Sequence, residues 1–115
     1  MSLDVCLEIY VDTGGKELYR VELYSANITH NLTAMADTAG VYVYLWRPEE
    51  VGISDANQLI EPLRKGILAM ETDPERFRAF DATNGWGTYD QFLPWIKDYL
   101  VACEEHPKAK VRAWR

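Results

Sequence analysis

Residues 5–11, Val-Cys-Leu-Glu-Ile-Tyr-Val, alternate without a break. Val5, Leu7, Ile9 and Val11 fall on one side; Cys6, Glu8 and Tyr10 fall on the other. A period of two is the mark of a strand with one buried face. Asp12-Thr13-Gly14-Gly15-Lys16 then supplies turn residues. Glu17 to Ser25 alternates again, with Tyr19, Val21 and Leu23 against Leu18, Arg20, Glu22 and Tyr24. Two such runs about a Gly-Gly pair predict a β-hairpin with a tight turn. A hairpin cannot stand alone in water. It must lay its apolar face on a second layer, and the rest of the chain has to provide that layer.

The period changes at Asn27. Ile28, Leu32, Met35, Ala36 and Ala39 recur at helical spacing, with Asn27 as N-cap and Gly40 just past the end. Between Ala26 and Trp46 only Asp37 is formally charged, so this helix is expected to be central. Residues 41–46 fit a strand by composition and a short helix by spacing; the spacing of Tyr42, Leu45 and Trp46 favours the helix. Arg47-Pro48 ends either element. Ser54 reads as a second N-cap, before the stripe Leu59, Ile60, Leu63, Ile67 and Met70, with a kink or break near Gln58 caused by Pro62. Asp73-Pro74 opens a short turn that turns Phe77 and Phe80 inward. Thr88-x-x-Gln91 is a capping box for the last helix, whose stripe is Phe92, Trp95, Ile96, Tyr99, Leu100 and Cys103. His106-Pro107 stops it, and Ala109, Val111 and Ala113 mark one face of a closing strand.

Length then bounds the answer. A chain of 115 residues makes one domain, residues 1–115, and a chain of that size buries roughly 65% of its unfolded surface without needing staples. The net charge of −6 repels phosphate backbones and argues against nucleic acid. The closing Lys108-to-Arg115 segment is basic, but a charge run of that kind is usually a solvated face. No apolar run approaches the roughly 18 residues of a membrane span, so no membrane is expected. Asp4 and the absence of basic residues before it argue against a signal peptide. A cytoplasmic setting follows, in which Cys6 and Cys103 are reduced and packed, and the Asn27 and Asn31 glycosylation patterns are chance.

No phosphate loop, nucleophile elbow or metal-ligand spacing occurs, so no cofactor and no metal are expected. The candidates that remain are Asn27, His30, Asn31, Trp46, Arg47, Asn84, Trp86 and Tyr89. At N3 of a helix begun by Asn27, His30 would meet the positive end of the dipole, which disfavours its protonation; it should be at least half buried and bonded to backbone or a polar side chain. Asn27, Asn31 and Asn84 read first as caps and turns. Trp46 reads first as a core indole beside a solvated Arg47. In Asn84-Gly85-Trp86-Gly87, one glycine at least should take positive φ, and Trp86 sits where a hydrophobic staple would tuck it over the last helix.

Three stretches carry a resemblance. Asn27 to Leu32, Leu45 to Pro48 and Asn84 to Tyr89 resemble a group of small uncharacterised proteins of bacterial and phage genomes that share Asn-x-Thr-His-Asn-Leu, Leu-Trp-Arg-Pro and Asn-Gly-Trp-Gly-Thr-Tyr. The resemblance spans about residues 25–111. It implies a shared fold and a shared surface near those stretches, in a phage or host-defence setting, and it supplies no catalytic residue.

The expected fold is α+β: a three-stranded antiparallel sheet, made from the N-terminal hairpin and a C-terminal strand, with helices packed on one face. The expected function is a non-catalytic binding or assembly module for a protein or small molecule, with a homodimer allowed. The alternative is a small enzyme that uses His30 with Asn31 or Tyr89 in a pocket near residues 84–89.

Overall fold

The computed structural model describes residues 1–115. Strands β1 (Ser2–Val11) and β2 (Tyr19–Thr29) form the hairpin, and β3 (Lys110–Trp114) lies on the other side of β1. Both pairings are antiparallel. Between β2 and β3 run α1 (Thr33–Thr38), α2 (Tyr42–Trp46), α3 (Asn57–Thr72), α4 (Pro74–Arg78) and α5 (Tyr89–Glu105). This is the expected α+β arrangement, with the C-terminal strand closing beside the first. None of the helices is long and apolar enough to cross a membrane.

Leu3, Val5 and Leu7 of the central strand are buried beneath the helices. Against them pack Leu32, Met35, Leu45 and Trp46, then Leu59, Leu63 and Met70 of α3 and Phe92, Ile96 and Tyr99 of α5. Tyr99 stacks on Tyr24, with ring centroids 5.8 Å apart. Gly66 lets α3 approach the start of α2: a β-carbon there would lie 2.2 Å from the Val41 side chain. Pro62 and Pro94 stand inside α3 and α5, and both helices run on through them. Pro62 therefore causes no break at Gln58, because α3 begins only at Asn57 and loses a single bond near its start.

Four local expectations change. The hairpin loop, residues 12–18, is longer than a tight turn. A bulge where Leu7 gives way to Glu8 sets Tyr24 opposite Leu7, so Tyr24 faces the helices instead of solvent. β2 does not give way to a helix at Asn27. Residues 26–29 pair with the start of β1, and that ladder outweighs the capping preference of Asn27. The helix begins after a single 3-10 turn, His30–Leu32, capped by the Thr29 hydroxyl, which accepts from the Asn31 N–H at 3.2 Å. Phe77 is buried, but Phe80 lies two residues past the end of α4 and is exposed.

The face of β1 turned away from the helices is closed by charge. Glu8 is buried there, bonded by Arg20 and by the Tyr10 hydroxyl at 2.7 Å, with Arg112 nearby. Burial by itself would raise its carboxyl; the hydrogen bonds from Tyr10 and Arg20 and the charges of Arg20 and Arg112 outweigh that and hold it below its ordinary value. Cys6 and Cys103 are free and buried. Burial pushes both thiols up, Cys103 to about 12, so neither carries the thiolate that reactive cysteines need.

Candidate functional site

Where β2 ends, the chain turns through Thr29-His30-Asn31 and lies beside the loop that opens α5. A cleft of about 610 Å³ separates the two. Asn27, His30, Asn31, Asn84 and Trp86 all line it, so two of the three quoted stretches meet at one place. The third stretch lies behind it. Trp46 is buried, and its indole N–H donates to His30 Nδ1 at 2.8 Å.

That bond assigns the imidazole its tautomer. A ring nitrogen that accepts carries no proton, so the proton sits on Nε2. His30 is the first residue of a single 3-10 turn, not N3 of a long helix, so the dipole argument from the sequence does not apply. Trp46 does the work that the dipole was expected to do in fixing how His30 bonds.

The opposite wall is a loop held almost entirely by hydrogen bonds. The Asn31 side-chain amide donates to the Trp86 carbonyl at 2.8 Å. The Trp86 N–H donates to Asn84 Oδ1 at 2.9 Å. Gln91 Oε1 accepts from the N–H groups of Gly87 and Thr88, and its Nε2 donates to the Gly85 carbonyl. Gly85 and Gly87 both take positive φ, 78° and 108°. Gly87 has a second constraint, since a β-carbon there would stand 3.0 Å from Asn31 Cβ and 3.1 Å from Thr29 Cγ2. The capping-box glutamine therefore does more than begin a helix; it ties the loop to α5.

Trp86 is not tucked. The residue is 71% exposed, which overturns the staple reading. The two positive-φ glycines and the bonds to Asn31 and Asn84 carry the backbone so that the ring points outward. Phe92, the partner the staple would have used, is already buried in the core and lies against Trp95.

The remaining candidates go elsewhere. Tyr89 is buried, and its hydroxyl donates to the Met70 carbonyl at 3.0 Å; it helps join α5 to α3 and does not line the cleft. Arg47 bonds Glu50 and the Tyr42 hydroxyl, away from the cleft. Asn27 lines the cleft as a strand residue and donates to Ser2 Oγ and Asp4 Oδ1. The sequence reading missed Met1, Ser2, Ile28, Thr29, Gly87 and Gln91 as lining residues. Thr29 could have been found as a hydroxyl beside a turn; Ser2 carried no signal, because only strand pairing brings it next to Thr29.

The cleft has a clear chemical character. Its lining includes no Asp, Glu, Lys or Arg side chain. Within the chain, Asn31 Oδ1, Asn84 Nδ2 and His30 Nε2 make no hydrogen bond, which leaves one acceptor and two donors for a visitor. No group of His, Cys, Asp and Glu side chains is arranged to hold a metal ion. Comparison with protein-family models, with curated proteins and with solved structures returns no match to this chain.

Proposed function

We propose that the protein is a non-catalytic binding module that takes an uncharged ligand in the cleft between residues 27–31 and the 84–87 loop. One observation carries this reading: Trp86 presents a largely exposed indole from a backbone pinned on both sides. Displaying a large apolar ring in water has no stabilising effect on the fold. Holding it rigid lowers the entropy lost when something stacks on it. Exposed tryptophans of this kind are the residues that dominate binding energy when a partner covers them. The free amide groups and His30 Nε2–H supply the few polar contacts that orient a ligand. No Lys or Arg side chain lines the cleft to pair with a phosphate or carboxylate, and the α-amino group of Met1 is the one cationic group there.

An enzyme built on His30 has less support. A general base needs a lone pair on the exposed nitrogen, and the Trp46 bond leaves that nitrogen protonated. Tyr89, one of its expected partners, is buried and bonded to Met70.

The test begins with native mass spectrometry of protein purified without added ligand, followed by NMR titration of any retained compound. Shifts of the Trp86 indole N–H and the Asn31 and Asn84 amides are expected, and they should vanish in Trp86→Ala. A ligand whose binding survives Trp86→Ala would overturn the proposal.

A further inference from the structure

The hairpin runs past the body that supports it. Every residue from Tyr10 to Arg20 is exposed, and the molecule measures 53 Å along its longest axis against 27 and 23 Å across. The arm is not polar. Tyr10, Val11, Leu18 and Tyr19 are among the exposed large hydrophobic residues, and pairing places Val11 beside Tyr19 and Ile9 beside Val21 on the helix-side face. A hairpin with one apolar face and nothing beneath it is marginal by itself.

Its outer edge is open as well. In the order β2-β1-β3, each outer strand has one unpaired side. That of β3 is partly covered, because Ser54 and Ala56 exchange backbone hydrogen bonds with Val111 and Ala109. On β2, the Trp95 indole of α5 donates to the Asn27 carbonyl at the body end. The stretch from Tyr19 to Glu22 has no such cover and is regular, and Leu23 is the extra residue of the bulge that follows it.

We infer that this edge pairs with the same edge of a second copy of the chain. The charges choose the occupant. Arg20 and Glu22 flank Val21 on the face away from the helices; Arg20 bonds Glu8 through Nε, and its Nη2 lies 3.8 Å from Glu22 of its own chain, a loose pair that a second copy can share. A two-fold axis perpendicular to the sheet at Val21 sets Arg20 against Glu22 of the second copy, and by symmetry does so twice. It also sets Tyr19 against Leu23 and Val21 against itself on the apolar face. Moving the axis by one residue brings Arg20 onto Arg20 or Glu22 onto Glu22, and like charges directly opposed are destabilising. A two-fold is also the commonest symmetry of soluble oligomers, and its interface must be self-complementary, as this edge is. The product is one continuous six-stranded sheet with both helix layers on the same side and the two clefts at its outer ends.

The Val21 register can be read directly. Val21→Cys would place two thiols across the axis, and the native thiols, both buried, would not compete. On mild oxidation Val21→Cys should run as a covalent dimer on a non-reducing gel, and Ser25→Cys should not. Light scattering of the reduced wild-type protein should give twice its 13.2 kDa mass. Val21→Lys, which sets two ammonium groups together, should halve that mass, keep a dispersed NMR spectrum, and remove the concentration dependence of the melting temperature expected of the wild type. A wild-type monomer at NMR concentration would overturn the inference. So would a dimer in which Ser25→Cys cross-links as readily as Val21→Cys.

Discussion

Two tryptophans frame the cleft, and each is tied to the turn that ends β2. Trp46 stands behind it, 1% exposed, with its indole N–H spent on His30. Trp86 stands in front, 71% exposed, with only its backbone bonded. Trp46 comes from an apolar run, residues 41–46, and Trp86 from a glycine-rich turn. The difference lies in what each holds. Trp46 fills core volume and fixes the imidazole from inside. Trp86 adds nothing to the core, and its surroundings fix it so that it can be covered later. A buried polar group must find its partner during folding; an exposed indole can leave its own to binding.

The largest test of that contrast is Trp46→Ala. Emptying a buried indole site should cost about 3–5 kcal/mol, and the urea midpoint should fall accordingly. The His30 ring loses its donor at the same time, so the tautomer seen by ¹⁵N NMR should become mixed. A small loss with an unchanged His30 spectrum would break the assignment of Trp46 as the positioning residue.

Next comes the loop backbone. Gly87→Ala adds a β-carbon at φ 108°, about 3 Å from Asn31 and Thr29, and should cost about 1–3 kcal/mol. Gly85→Ala meets nothing within 4 Å and carries only the left-handed penalty, about 1 kcal/mol. Equal costs for the two, by chemical denaturation, would mean that the loop is not packed against the 29–31 turn.

The third test leaves both tryptophans untouched. Glu8 has its pKa lowered in the folded state, so the unfolded chain takes up the proton first. Its contribution is fully present above its unfolded value near 4.3 and is lost as pH falls through the lower folded value. Glu8→Gln should therefore flatten the decline in melting temperature below about pH 4.3, with the slope near neutrality unchanged. A decline as steep as wild type would show that other carboxylates govern the acid limb.

Smaller effects belong to the rim. Asn31→Ala removes an exposed bond to the Trp86 carbonyl and should cost about 0.5–1 kcal/mol while sharply raising backbone exchange in residues 84–87. Trp86→Ala should leave stability within about 0.5 kcal/mol, as for exposed positions. A larger fall would put its ring against the core and remove the reason to expect a ligand there.

Much of the fold was legible along the chain, because it rested on short-range rules. Alternation in residues 5–11 and 17–25 marked two strands, Thr88 and Gln91 marked the start of α5, and the spacing of residues 41–46 marked a short helix. Gly85 and Gly87 announced their backbone conformation, since residues with side chains rarely take positive φ. The α+β class and the pairing of β3 with β1 followed from where the strands stood in the order of elements.

Tertiary structure decided the rest, wherever two local preferences were close in free energy. Asn27 is a good helix cap and an acceptable strand residue; the ladder to Ser2–Val5 chose the strand and moved His30 with it. Tyr24 changed face because of one bulge, and a bulge has no composition of its own. Trp86 could have gone either way, and the decision lay in bonds from Asn31, 55 residues away, and in Phe92 being already committed to the core. Local sequence determines which backbone conformations are cheap. Which side chains meet is settled only when distant segments compete for the same volume and the same hydrogen bonds.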